Sequence, residues 1–250
     1  MIDTSIERGA AWLRVFAPVP GARRRLICLP HAGGAAGFFR TWPARLPVDT
    51  ELVAVRYPGR QDRLHEACVS HMDDLADLIT EALEPLLDRP LSLFGHSMGA
   101  SVAYEVARRL EQRHGFRPDR LFASGREAPH RTRDIDPASR TDEVLIDEMH
   151  GLTDTDRAAL ADPELRELIL PALRSDYALI DAYRPANPPP VSTPITAYTG
   201  ISDPGCALPA VRAWADLTTT DFDLRVFPGA HFFLVPAEPE LLTDITRRLR

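Results

Sequence analysis

The chain has 250 residues, 44% hydrophobic and 26% charged. That composition fits one globular domain at the upper end of the single-core size range and argues against a disordered or solenoid chain. All 29 basic residues are arginine, against 36 acidic ones, for a formal charge of −7, which argues against a broad electropositive nucleic-acid surface. Cys28, Cys68 and Cys206 are widely spaced and form no C-x-x-C pair, so neither a disulfide framework nor a metal site is expected. The first thirty residues hold charged positions and no apolar core of a signal peptide, and no run reaches 18 apolar residues. A cytoplasmic protein without membrane spans is therefore expected.

In chain order, short apolar runs alternate with longer amphipathic ones. Trp12 to Ala17, Leu26 to Pro30, Leu52 to Arg56, Leu91 to Phe94 and Leu121 to Ser124 are predicted strands, the later ones too apolar to be exposed on either face. Phe38 to Leu46, Met72 to Leu87 and Met98 to Arg113 are predicted helices. In the last, Val102, Val106 and Leu110 recur at a spacing of four, with arginines and acids on the other side. This alternation predicts a mostly parallel sheet covered by helices on both faces, an α/β class fold. From Pro129 to Pro190 the pattern changes to charged helical pieces, Asp142 to Met149 and Pro163 to Tyr183, which read as an insertion over the sheet. The proline-rich stretch Arg184 to Pro190 is predicted to be an extended connector. Strands resume at Ile195 to Thr199 and Leu224 to Phe227, and a last helix runs from Glu238 to Leu249. With 23 prolines, about 9% of the chain against a usual ~5%, most falling between apolar runs, many short elements are expected.

The sharpest motif is Gly95-His96-Ser97-Met98-Gly99, directly after an apolar strand and before an amphipathic helix. That is the context of a nucleophile elbow, whose tight turn leaves no room for side chains at the glycines and pushes the serine hydroxyl out at the carboxyl edge of the sheet. A serine needs a base, and the base an orienting acid, in the chain order serine, acid, histidine. Of the histidines after Ser97, His114 ends the elbow helix and His130 and His150 lie in the charged insertion. His231 follows a late strand through the glycine turn Pro228-Gly229-Ala230 and is the expected base. Asp203, on a loop at a strand's carboxyl end, is the expected acid. Glu127 is its main rival, and Asp216, Asp221 and Asp223 read as helix-end or turn residues. An oxyanion hole needs two backbone N–H groups. Met98 supplies one, and the glycine-rich turn His31-Ala32-Gly33-Gly34 is placed to supply the other. His31 itself reads as a loop-ordering residue.

Four segments carry a family resemblance: Leu29-Pro30-His31-Ala32-Gly33-Gly34, Tyr57-Pro58-Gly59-Arg60, Gly95-His96-Ser97-Met98-Gly99-Ala100 with Tyr104-Glu105, and Pro228-Gly229-Ala230-His231-Phe232-Phe233. Together they resemble the type II thioesterases of polyketide and nonribosomal peptide synthesis, which are α/β-hydrolases. The resemblance implies one domain over residues 1–250 with 129–190 as a helical lid. It implies catalysis by Ser97, Asp203 and His231, with the N–H groups of Ala32 and Met98 as the oxyanion hole, and no cofactor or metal. The implied reaction is hydrolysis of acyl thioesters from the phosphopantetheine arm of an acyl or peptidyl carrier protein. A monomer is expected, with no nucleic-acid or membrane partner. Ala230 stands where many relatives have a second glycine, and Ser202 where another acid is common, which leaves the acid loop less anchored by motif.

Two enzymatic alternatives remain at this point: a carboxylesterase or lipase acting on oxygen esters, and an acyltransferase. The latter lacks its usual Phe-x-Gly-Gln-Gly-like turn here and gives Asp203 no role. A hydrolase fold kept for binding alone is a third. Phe38, Phe39, Trp42, Met98, Phe232 and Phe233 could line an acyl pocket, but at least four of the six are expected to be ordinary core. Arginine forks are the expected means of meeting an acidic carrier, with Arg60, Arg63, Arg126, Arg131 and Arg133 as candidates, most of which a solvated charged face would also explain.

Overall fold

The computed structural model describes residues 11–132, 139–148 and 162–249. Seven strands form one sheet: β1 (Leu13–Val15), β2 (Arg24–Leu29), β3 (Thr50–Val55), β4 (Leu91–His96), β5 (Leu121–Ser124), β6 (Ile195–Gly200) and β7 (Phe222–Phe227). Their spatial order is β1-β3-β2-β4-β5-β6-β7. Only β1 is antiparallel, pairing Leu13 with Val55 and Val15 with Val53; the other pairs are parallel.

Side-chain alternation along the strands builds two cores. Ile27, Leu29, Val53, Val55, Leu91, Leu93, Leu121, Ala123, Ile195 and Ala197 face one side. There they pack under α1 (Met72–Leu83), α2 (Met98–His114) and the Leu208–Leu217 segment that begins with α5 (Leu208–Arg212). Leu26, Cys28, Leu52, Ala54, Phe94, Phe122 and Tyr198 face the other side, against Phe39, Trp42 and α6 (Glu238–Arg248). Because both faces are covered, the central strands carry no polar alternation, and β4 is buried at every position. α3 (Asp142–Asp147) and α4 (Pro163–Ala182) complete the α-helices of the described residues. α4 bridges the two cores, with Leu170 and Leu173 in one and Leu179 and Ile180 in the other.

All seven predicted strands are present within two or three residues of their expected ends. The predicted helix Phe38 to Leu46 is instead two 3₁₀ turns, Ala36–Phe39 and Trp42–Arg45, because Pro43 near the start of the second lacks the N–H that would join them. The predicted helix Met72 to Leu87 ends at Leu83 and continues as a 3₁₀ turn around Pro85. The Leu208–Leu217 helical segment has no counterpart in the sequence reading. His150, Arg133 and the Met149 end of a predicted helix lie outside the described residues. No described helix is long and apolar enough to cross a membrane.

Candidate active site

β4 runs straight into Ser97 and then α2. Ser97 holds φ 54° and ψ −119°, a conformation costly for a residue with a side chain. Neighbouring hydrogen bonds enforce it: the Ser97 N–H donates to the Ser124 carbonyl at 2.7 Å, and Ala100 N–H donates to the Ser97 carbonyl at 3.0 Å. A Cβ at Gly95 would lie 2.0 Å from the Gly99 carbonyl oxygen, and one at Gly99 would lie 2.2 Å from that of Leu29. Both glycines of the motif are thus required by contact with backbone. Met98 N–H, in the first turn of α2, has no intrahelical acceptor.

The loops after β6 and β7 bring the next two residues together. His231 Nδ1 lies 2.8 Å from Asp203 Oδ2. A carboxylate only accepts, so the proton sits on Nδ1 and leaves Nε2 as the free acceptor. Asp203 Oδ1 accepts from Gly205 N–H at 2.9 Å. Burial raises the Asp203 carboxyl, but the bonds from His231, Gly205 and the Cys206 thiol outweigh it and hold the group below the usual carboxylate range. The two loops are stitched by backbone: Ile201 N–H donates to Phe227 O at 2.8 Å and Ser202 N–H to Gly229 O at 2.9 Å. Ser202 thus anchors the acid loop through its main chain, where sequence showed a missing acid. The approach is close enough that a Cβ at Gly200 would sit 2.3 Å from the Ala230 carbonyl oxygen. Asp203, Cys206 and His231 have ligand atoms within 4.8 Å of one another. Burial and Asp203 push the Cys206 thiol up, and the thiol donates to Asp203.

Three histidine rings surround the elbow. The His96 ring centroid is 5.0 Å from that of His231 and 6.0 Å from that of His31. His31 is enclosed by Phe38 and Phe232 at 4.9 and 5.0 Å. Burial, then the fields of His231 and Arg60, push the His31 pKa down to about 3. Burial likewise lowers His96 well below its usual value, and its Nδ1 lies 3.0 Å from the Ser124 hydroxyl. Both rings are therefore neutral near pH 7.

The loop Pro30–Gly34 is held at three backbone atoms. Tyr57 hydroxyl donates to Pro30 O at 3.2 Å, Arg60 Nη1 donates to Gly34 O at 3.0 Å, and Gly33 N–H donates to Asp176 Oδ2 at 2.8 Å. Asp176, from α4, also receives Arg60 Nη1 at 2.6 Å and Nη2 at 2.9 Å. Both side chains are buried. Ala32 N–H lies between these anchors, and no group of the described residues accepts it. The Tyr57–Arg60 motif is thereby explained as the clamp on this loop.

Arg60 and Arg63 are consequently not surface forks for a partner. Arg63 is 6% exposed, paired with Glu66 and stacked 4.4 Å from the Trp12 ring centroid. Arg131 is exposed, with Asp216 at 3.8 Å. Glu127, the rival acid, spends one oxygen on Ala207 N–H at 3.0 Å. His114 and His130 lie beside Glu84 and Asp216, at 3.6 and 3.2 Å. Asp223 lies within β7 rather than in a turn. Of the six apolar candidates, Phe39, Trp42, Met98, Phe232 and Phe233 are buried in the cores, and only Phe38 is partly exposed. Asp176 and His96 were missed by sequence reasoning. His96 was visible only as the variable position of the motif, and no local pattern marks Asp176.

A thioesterase-domain family model matches residues 24–249. Thioesterase PikA5 of Streptomyces venezuelae is 42% identical over 239 residues, covering 95% of this chain and 85% of that protein. The chain belongs to the type II thioesterases of polyketide and nonribosomal peptide synthesis. The probable cadicidin biosynthesis thioesterase of Streptomyces griseus is also 42% identical, over 99% of this chain and 68% of that protein. The structure of the type II thioesterase BorB from the borrelidin biosynthetic cluster superposes with a TM-score of 0.87 at 38% identity, covering 96% of this chain and 98% of that one. RedJ, from the prodiginine pathway of Streptomyces coelicolor, gives 0.83 at 37% identity, over 93% and 90%. This thioesterase accordingly has the α/β-hydrolase fold and is a hydrolase of thioesters, as the resemblance implied.

Proposed function

We propose that this thioesterase edits assembly lines by hydrolysing acyl groups from the phosphopantetheine arms of carrier proteins, with Ser97 as nucleophile, His231 as base and Asp203 as orienting acid. The observation that carries the reading is the 2.8 Å contact of His231 Nδ1 with the buried Asp203, on loops stitched to each other at the edge where Ser97 is held in its strained turn. His231 Nε2 takes the Ser97 proton as Oγ attacks the thioester carbonyl. The N–H groups of Ala32 and Met98 receive the developing oxyanion, and the arm leaves as its thiol. Water, deprotonated by the same Nε2, then attacks the acyl-serine and releases the acid. The Asp203 carboxylate stabilises the imidazolium formed in each step. Residues 129–190 act as a lid, anchored through α4 to both cores, and the enzyme works as a monomer in the cytoplasm.

Release of acids from a panel of carrier proteins loaded with acyl groups of different length and α-branching tests this reading. Turnover that exceeds hydrolysis of p-nitrophenyl esters and vanishes in Ser97→Ala is expected. Preference for oxygen esters, or transfer of the acyl group to a second carrier faster than to water, would overturn it.

A further inference from the structure

Arg126 is two residues beyond Ser124, the residue whose carbonyl holds the Ser97 N–H. Its backbone is fixed: Trp214 Nε1 donates to Arg126 O at 2.9 Å, and the flanking Gly125 and Ala128 N–H groups donate to Tyr198 O and Ala210 O at 2.8 and 3.0 Å. The side chain is half-buried, and its Nε is fully enclosed without a hydrogen-bond partner. It lies in the fields of Asp181, Glu127, Cys206 and Tyr177. Yet no carboxylate forms an ion pair with Arg126 among the described residues, because the neighbouring acids are engaged elsewhere. Asp181 receives both Nε and Nη2 of Arg140, at 2.7 and 3.0 Å. Glu127 holds Ala207 N–H.

A guanidinium whose Nε is enclosed without a hydrogen-bond partner is costly, and burial lowers its pKa accordingly. The buried arginines Arg60, Arg63 and Arg109 are each paired with carboxylates: Arg60 with Asp176, Arg63 with Glu66 and Arg109 with Asp73, Asp77 and Glu105. Arg126 differs from them, and it stands on the edge of the sheet that carries Ser97 and Asp203. We propose that Arg126 binds an anionic oxygen group of the substrate beside the reacting thioester. The inference rests on the thioesterase reading above. The group is either the phosphate of the arm or a carboxylate carried by the acyl chain, both of which match a planar guanidinium fork.

Three small substrates separate the sources: acetyl-pantetheine, which is neutral, acetyl-phosphopantetheine, and malonyl-pantetheine. In Arg126→Gln the kcat/KM ratio of one anionic substrate over the neutral one should fall at least tenfold, mainly through KM, and Arg126→Lys should recover part of it. A change confined to the phosphorylated substrate assigns the arm, and one confined to the malonyl substrate assigns the acyl carboxylate. Equal losses on all three, or ratios unchanged from wild type, would overturn the proposal. Titration of phosphopantetheine and of malonate into Ser97→Ala, with and without Arg126→Gln, reads binding without turnover. If wild type hydrolysed none of the thioesters, the functional reading would fail, while weaker binding in the double variant would still support an anion site and equal binding would overturn it.

Discussion

Asp176 and Arg60 form a buried, two-pronged ion pair, and Asp176 Oδ2 receives both Arg60 and the N–H of Gly33. One carboxylate from α4 thus holds the loop that presents Ala32 N–H. Removing one member of a buried pair leaves an uncompensated charge, at a cost of roughly 3–5 kcal/mol. Asp176→Asn should therefore unfold at a markedly lower temperature and lose about tenfold or more in kcat. The double variant Arg60→Met/Asp176→Leu should regain most of the stability, since apolar residues of similar volume can replace such a pair. It should not regain kcat, because leucine, unlike aspartate or asparagine, offers the Gly33 N–H no acceptor. Recovery of both together in thermal melts and steady-state assays would show that the pair serves folding alone.

Asp203→Asn should reduce kcat by up to about 10⁴-fold, the scale seen when an orienting carboxylate is replaced in a comparable triad. An amide can donate to Nδ1 and favour the wrong tautomer. Glu127→Gln keeps an oxygen for Ala207 N–H and should remain close to wild type. Side-by-side turnover measurements check the assignment, and the reverse ranking would transfer the role to Glu127.

Fluorophosphonate labelling should mark wild type and disappear in Ser97→Ala, whose circular dichroism and melting temperature should stay near those of wild type. Persistent labelling would place the nucleophile elsewhere.

Gly95→Ala places a methyl 2.0 Å from a backbone oxygen and should cost more than about 4 kcal/mol, the range of severe core clashes. Gly21→Ala, at φ +79° with nothing within 4 Å of the new atom, should cost only about 1–2 kcal/mol of left-handed strain. Denaturant midpoints of the two variants give the comparison.

His31 has a folded pKa of about 3 against an ordinary 6.5. The unfolded chain therefore binds the proton first. The stability contributed by the neutral ring is fully present above pH 6.5 and is lost as pH falls from 6.5 towards 3. Between pH 8 and pH 5 this amounts to about 2 kcal/mol. His31→Phe, which keeps an apolar ring against Phe38 and Phe232, should flatten the pH dependence of the denaturant midpoint by that amount. An unchanged slope would mean that His31 is not buried neutral.

The sequence by itself determined the parallel sheet, the strand–turn–helix setting of Ser97, and the placing of Asp203 and His231 on loops at strand ends. Those features are written in local patterns: apolar runs, glycines at fixed offsets, and loops at strand ends. The paired glycines Gly95 and Gly99 were legible because a tight turn demands them wherever it occurs. Local pattern failed at Phe38 to Leu46, where helical periodicity was present but Pro43 broke the hydrogen-bond ladder into two 3₁₀ turns. Tertiary structure alone decided which charges meet. Arg60 and Asp176 are separated by 116 positions, and nothing near either residue distinguishes a clamped arginine from a solvated one. The same holds for the neutral state of His31 and His96, which follows from enclosure by rings brought from three separate segments. Arg126 is the converse case: its neighbours in space are acids already bound to other donors, a fact visible only once the chain is folded.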